Sequence, residues 1–156
     1  MKKIIGTFLF TLLISNVSFS QENIIWHTDV NEALEVAFEE NKKILLFFTG
    51  SDWCGWCIKL QKEVFKTSKF EKWSDGLVLV ELDYPRRTAQ TEKIKAQNKQ
   101  LQQMFGVRGY PTVLFINPKK MGNGKINLDN LGKTGYVHGG PQKWIEVANA
   151  ILKKTI

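Results

Sequence analysis

Two hydrophobic rhythms alternate along this chain, one with the spacing of helices and one of short, unbroken apolar runs. Between Asp29 and Lys42, the residues Val30, Ala33, Leu34, Ala37 and Phe38 recur every three or four positions, which predicts an amphipathic helix. Asp29 and Glu32 near its start, and Lys42 and Lys43 at its end, suit the helix dipole. ILLFFTG (Ile44–Gly50) is instead a short, mostly apolar run ending at Thr49-Gly50, the pattern of a strand buried on both faces at the centre of a mixed sheet. SDWCGWCIKLQKEVFK follows, with Ser51 or Asp52 as candidate N-cap and Ile58, Leu60, Val64 and Phe65 as an apolar stripe. LVLVELD (Leu77–Asp83) predicts a second buried strand, broken by YPRRTAQ. TEKIKAQNKQLQQMFG (Thr91–Gly106) reads as a helix with Ile94, Leu101, Met104 and Phe105 inward and Gly106 as its stop. TVLFINP (Thr112–Pro118) is a third strand; MGNGKINLDN is turn-rich, and NLGKTGYV completes a hairpin with its turn expected near Asp129-Asn130. PQKWIEVANAILKK (Pro141–Lys154) starts with proline in the first turn and closes the chain as an amphipathic helix. The order is α-β-α-β-α-β-β-α, with no linker to divide it.

The N-terminus changes where the fold begins. Lys2 and Lys3 precede an uncharged run, Ile4–Ile14, and SNVSFS ends in small residues at Ser18 and Ser20. That is the layout of a signal peptide, and the apolar run is shorter than the about 20 residues that span a bilayer. No cysteine follows it at once, which excludes a lipid anchor there. The expectation is a signal peptide at 1–20 and one exported domain at 21–156, placed in the periplasm or otherwise outside the cytoplasm. Losing Lys2 and Lys3 lowers the formal charge from +7 to +5. The densest basic stretch holds Arg86, Arg87, Lys93, Lys95 and Lys99. It reads as a solvated helix face rather than a nucleic-acid site, because no aromatics interleave with it, although a basic rim favours acidic partners.

Export sharpens the question of the chain's two cysteines, Cys54 and Cys57. Outside the cytosol a cysteine pair will often be a disulfide. A structural zinc site needs four ligands, and only His27 and His138 could join, in no finger-like spacing. Covalent haem attachment needs histidine after the second cysteine, where Ile58 stands. A purely structural bridge is the serious competitor. Closing so short a loop restricts the unfolded chain little, about 2 kcal/mol in the simplest treatment, which favours a redox pair. In that reading Cys54, nearest the unpaired N–H groups and positive end of the helix, is the nucleophile. Cys57, one turn on, resolves the mixed disulfide.

Trp53-Cys54-Gly55-Trp56-Cys57 after a buried strand, with Gly109-Tyr110-Pro111-Thr112 opening a later one, resembles the thioredoxin-like thiol–disulfide oxidoreductases. SDWCGWCIKL and GYPTVLFINP resemble the exported bacterial members in particular, and the likeness runs over nearly all of 23–156. It implies a thioredoxin-like α/β fold, a central mixed sheet flanked by helices in three layers. It also implies a cis bond before Pro111 facing the disulfide, with the Tyr110 backbone open to an extended substrate. Trp53 matches the tryptophan beside the nucleophile, where packing and site roles are equally open. Trp56 stands where many relatives have proline, and an exposed indole there could touch substrate. Gly135-Tyr136 falls at the rim loop. Many thioredoxins also carry a buried acid that helps the second cysteine lose its proton. Counting back from the motif puts Phe48 there, leaving Asp52, Glu81 and Asp83 as possible substitutes. No histidine separates the cysteines, which tilts the expectation toward a reductant or general exchanger.

The resemblance implies an enzyme with no metal or organic cofactor. Its substrates are protein thiols and disulfides, its redox partner is a membrane-embedded electron donor or acceptor, and it works as a monomer without nucleic acid. The competing expectation is a binding module with the same groove and an inert disulfide.

Overall fold

A single strand organises the fold. In the computed structural model, which describes residues 24–153, strand β2 (Lys43–Thr49) carries Ile44 to Thr49 wholly out of solvent. The expected signal peptide lies outside the described residues. The preceding helix α1 (Val30–Glu39) buries Val30, Ala33, Leu34 and Ala37, and Asp29 caps it by accepting the Asn31 N–H. On one side β2 pairs in parallel with β3 (Leu77–Asp83), and on the other antiparallel with β4 (Thr112–Lys120). Two further strands, β1 (Trp26–His27) and β5 (Ile126–Thr134), complete the sheet order β1-β3-β2-β4-β5. β1 is too short to leave a period in the sequence.

Alternation along β2 separates two buried layers. Ile44, Leu46 and Phe48 face α1 and helix α4 (Glu92–Met104). Leu45 and Phe47 face the cysteines, helices α2 (Gly55–Leu60) and α3 (Ser68–Ser74), and the closing helix α5 (Gly140–Lys153). The result is the expected mixed sheet between two helical layers. The cysteine side is rich in aromatics: Trp26, Phe47, Phe65, Phe70 and Trp144 meet with ring centroids 4.6–6.3 Å apart. Such pairs add to the hydrophobic gain of burial.

Several local expectations need correction. The helix after the cysteines is not one element. α2 passes into a π-helical turn at Gln61–Phe65, and Thr67 then caps α3 by accepting the Phe70 N–H. With Cys57, Leu60 and Val64 inward, Ile58 is rotated outward and 49% exposed. On α4 the inward line runs through Asn98 and Leu101, so Met104 at the helix end is 57% exposed. Asn98 is a polar core residue that hydrophobic patterning cannot find. Its amide donates to the Asp83 carbonyl at 2.9 Å, and its own carbonyl accepts the Tyr84 hydroxyl at 2.6 Å.

The hairpin turn also lies elsewhere. It falls at 121–125, closed by the Met121 N–H on the Lys125 carbonyl, with Gly124 at φ +77°. A left-handed residue suits glycine. Asp129 and Asn130 belong to β5, opposite Asn117 and Ile116. The Asn130 side chain accepts the Gly132 N–H beside a register shift at Phe115/Ile116, so the polar pair marks an irregularity within the strand.

Trp144 is fully buried and its indole N–H donates to the Gly135 carbonyl at 3.0 Å. Trp144→Ala is expected to cost about 3–5 kcal/mol in urea denaturation, and Met104→Ala under about 0.5 kcal/mol. Comparable losses from the two would contradict this inside–outside assignment.

Candidate functional site

Both cysteines sit where the chain leaves β2. Gly50 lies under the Trp53 indole: a Cβ there would come within 2.4 Å of the ring, so only glycine permits the approach. The Gly50 carbonyl accepts the Cys54 N–H at 2.9 Å and closes the turn. Helix α2 starts at Gly55, and its N-cap is Cys54 itself. The Cys54 sulfur accepts the Cys57 N–H at 3.2 Å. Sulfur thus occupies the capping position usually filled by a side-chain oxygen.

Ser51 and Asp52 are not caps, because the longer strand 3 connection recruits them. Ser51 donates its N–H and hydroxyl to the Asp83 carboxylate. Asp52 accepts the backbone N–H groups of Arg86, Arg87 and Thr88 at 2.7–3.3 Å. Those bonds, the Arg86 N–H first, hold the Asp52 carboxyl below its ordinary range.

Cys54 and Cys57 form a disulfide with S–S 2.09 Å. Cys54 is the outer sulfur, 7% exposed against 0% for Cys57. The Tyr110–Pro111 peptide is cis, and Tyr110 packs against the buried cluster that contains both cysteines. Its ring meets Trp53 edge-on at 5.8 Å. Among the described residues, neither the N–H nor the C=O of Tyr110 has a hydrogen-bond partner. Trp53 is half-buried, its N–H donating to the Tyr84 carbonyl at 2.7 Å, while the Arg86 guanidinium lies over its ring at 3.9 Å. Trp53 therefore packs and borders the site at once.

Trp56 is 58% exposed and leans on Tyr136, with centroids 5.2 Å apart. Lys59 lies about equally far from both rings, at 5.2 and 5.1 Å, and the Tyr136 hydroxyl donates to Glu63. Gly135 abuts the Pro111 carbonyl, since a Cβ there would stand 3.0 Å away. The rim loop expected at Gly135-Tyr136 thus borders Pro111. Exposed His138 lies in the turn before α5.

The position expected to replace a buried acid is corrected. Phe48 faces the layer away from the cysteines; Phe47 faces them. Counting back fails by one residue because alternation makes a shift of one change face. In the parallel register Phe47 lies beside Glu81, which shares the cysteine face. Glu81 accepts from Gln61, one turn beyond Cys57, at 3.3 Å. Burial, reinforced by the charge of Asp83, pushes its carboxyl up. Thr49 is also buried on this face, its hydroxyl without a partner among the described residues. No group of three or more His, Cys, Asp or Glu able to hold a metal occurs among them either.

A mixed sheet in three layers, a C-x-x-C disulfide capping a helix and a cis-proline beside its cluster define a thioredoxin-like protein. The comparisons agree. The sequence model of the family described as "Thioredoxin-like" matches residues 25–118. The disulfide bond reductase DsbH of Chlamydia pneumoniae is 35% identical over 132 residues, 84% of this chain and 74% of that protein. The thioredoxin-related protein DsbJ of the same organism is 32% identical over 120 residues, 74% of this chain but 34% of that longer protein. Among solved structures, a DsbH oxidoreductase superposes with a TM-score of 0.72 at 35% identity, covering 84% of this chain and 85% of that one. The chain belongs to the thioredoxin-like family.

Asp52 holds the 86–88 segment through charge-assisted bonds, and its depressed pKa means that this hold is complete above the ordinary carboxylate range. It is lost as pH falls through the lower, folded value. Hydrogen exchange at the amides of Arg86, Arg87 and Thr88 should therefore accelerate relative to the sheet at low pH. In Asp52→Ala it should be fast throughout; protected amides in that variant would show that another group holds the segment.

Proposed function

We propose that this chain is an exported thiol–disulfide oxidoreductase that reduces or exchanges disulfides in protein substrates. The observation that carries the reading is the Cys57 N–H aimed at the Cys54 sulfur, on the more exposed of two cysteines at a helix start. The DsbH likeness supports a reductant. The positively charged, apolar N-terminal segment supports export. No helix among the described residues is long and apolar enough to cross a membrane.

In the dithiol state Cys54 is the thiolate, stabilised by that N–H and by the helix end. It attacks one sulfur of a substrate disulfide, forming a mixed disulfide and expelling a substrate thiolate. Cys57 then loses its proton and attacks the Cys54 sulfur. The second substrate thiolate leaves, and the Cys54–Cys57 disulfide remains. The substrate has gained two electrons and, on protonation, two protons. An external donor, of which a membrane-embedded dithiol protein is one class, must return the electrons. Trp56 offers an exposed aromatic face to the substrate, and the free Tyr110 backbone beside Pro111 offers strand-like pairing.

Cys57 needs somewhere to send its proton. Glu81, on the cysteine face and bonded to Gln61, is the acid that takes over from the missing one on β2.

Under a dithiol reductant, wild type should reduce insulin and Cys54→Ser should not. Equal turnover would leave a binding module with an inert bridge. Cys57→Ser should retain substrates covalently on Cys54, and retention confined to Cys54→Ser would reverse the roles. Equilibration in glutathione buffers tests direction: a potential near about −270 mV marks a reductase and one near about −120 mV an oxidant.

Glu81→Gln should slow resolution of a preformed mixed disulfide and remove an inflection above the ordinary glutamate range from its pH profile. An unchanged profile would assign the proton to another group.

A further inference from the structure

The rim beside Cys54 holds arginines without carboxylate partners. Arg86 is exposed, yet its guanidinium lies 3.9 Å from the centre of the Trp53 ring, directly before the nucleophile in sequence. Its backbone is fixed as well, because its N–H donates to both Asp52 oxygens. None of the guanidinium N–H groups has an acceptor, and no ion pair of Arg86, Arg87 or Arg108 occurs, among the described residues. Exposed Arg87 follows on the same segment, and exposed Arg108 stands two residues before Tyr110, whose ring meets Trp53.

The acids nearby are engaged. Asp52 spends both oxygens on three backbone N–H groups and feels the charge of Arg87. Asp83 accepts two bonds from Ser51. A guanidinium seated over an indole at 3.9 Å has no protein acceptor to satisfy, and its planar fork of donors matches a carboxylate. The stack also removes much of the rotamer freedom that normally weakens an exposed pair.

We propose that Arg86, held on Trp53 and followed by Arg87, receives a substrate carboxylate, so that the protein prefers disulfides flanked by Asp or Glu. This specificity rests on the redox reading above. It deepens that reading by giving the substrate a chemical class: an extended, acidic protein segment, with its cysteine sulfur at Cys54 and a neighbouring acid on Arg86.

The test uses two disulfide-linked peptides of equal length that differ only in Asp or Lys beside each cysteine. The rate of each with the reduced protein is divided by its rate with β-mercaptoethanol, which removes the peptides' own reactivity. Hydroxyethyl disulfide, small and neutral, serves as the common reference. The normalised Asp-to-Lys ratio should be about fivefold or more at low salt, the value of one well-made exposed pair. It should shrink in about 0.5 M salt as the charges are screened. Arg86→Ala should bring the ratio close to one, and Arg86→Lys, which keeps charge but loses the fork, should fall between.

A wild-type ratio near one, or a ratio indifferent to salt, overturns the specificity while rapid reduction of hydroxyethyl disulfide leaves the redox activity standing. Failure to reduce hydroxyethyl disulfide overturns both. A ratio unchanged in Arg86→Ala removes Arg86 as the receptor.

Discussion

The double burial of β2 is the constraint on which the rest depends. Its inner residues lie in two apolar layers at once, and it is bonded to β3 on one edge and β4 on the other. Its end cannot move without disturbing both layers. Close packing makes such a strand a rigid platform. The turn from Gly50 to Cys54 grows from that platform, and β4 brings Pro111 to it from the antiparallel side. Cysteine pair and proline therefore arrive at the same end of the sheet, because one strand serves as neighbour to both of the elements that carry them.

From that platform the local chemistry is made largely by backbone groups. The Cys57 N–H serves Cys54, and three N–H groups serve Asp52. An N–H anchored in a turn or helix start needs no reorganisation when a negative charge forms opposite it. A thiolate at Cys54 would inherit a bond that already exists in the disulfide. Asp52 shows the same economy on the opposite flank: it ties the segment after β3 to the turn before Cys54 and so fixes Arg86 over Trp53.

Much of this was legible in the sequence, for identifiable reasons. The runs at 44–48, 77–80 and 113–116 announce buried strands because no polar residue interrupts them. The cysteine spacing and the Tyr110-Pro111 pair carry the site because each is rare and local. What escaped depends on partners distant in sequence. Asp52 reads as a helix cap until the backbone from 86 to 88 arrives. Asn130 reads as a turn residue until β4 brings Ile116 opposite it within a strand. Asn98 and Glu81 look like surface residues, and only the third dimension puts one in the core and the other beneath α2.

The exchange of Phe48 for Phe47 shows how such an error propagates and how geometry corrects it. A strand position is specified by its face before its number, because neighbours in sequence point into different layers. With Phe47 on the cysteine side, an acid is missing from β2 but not from the sheet, since Glu81 occupies the adjoining position on β3. Moving a carboxyl sideways by one strand keeps it on the cysteine face while changing its company: Gln61 donates to it, and Asp83 next along that face raises its proton affinity. A group so placed holds a proton more readily than an ordinary glutamate. A raised proton affinity brings a carboxyl nearer to that of a thiol, and transfer between two groups is easiest when their affinities approach each other.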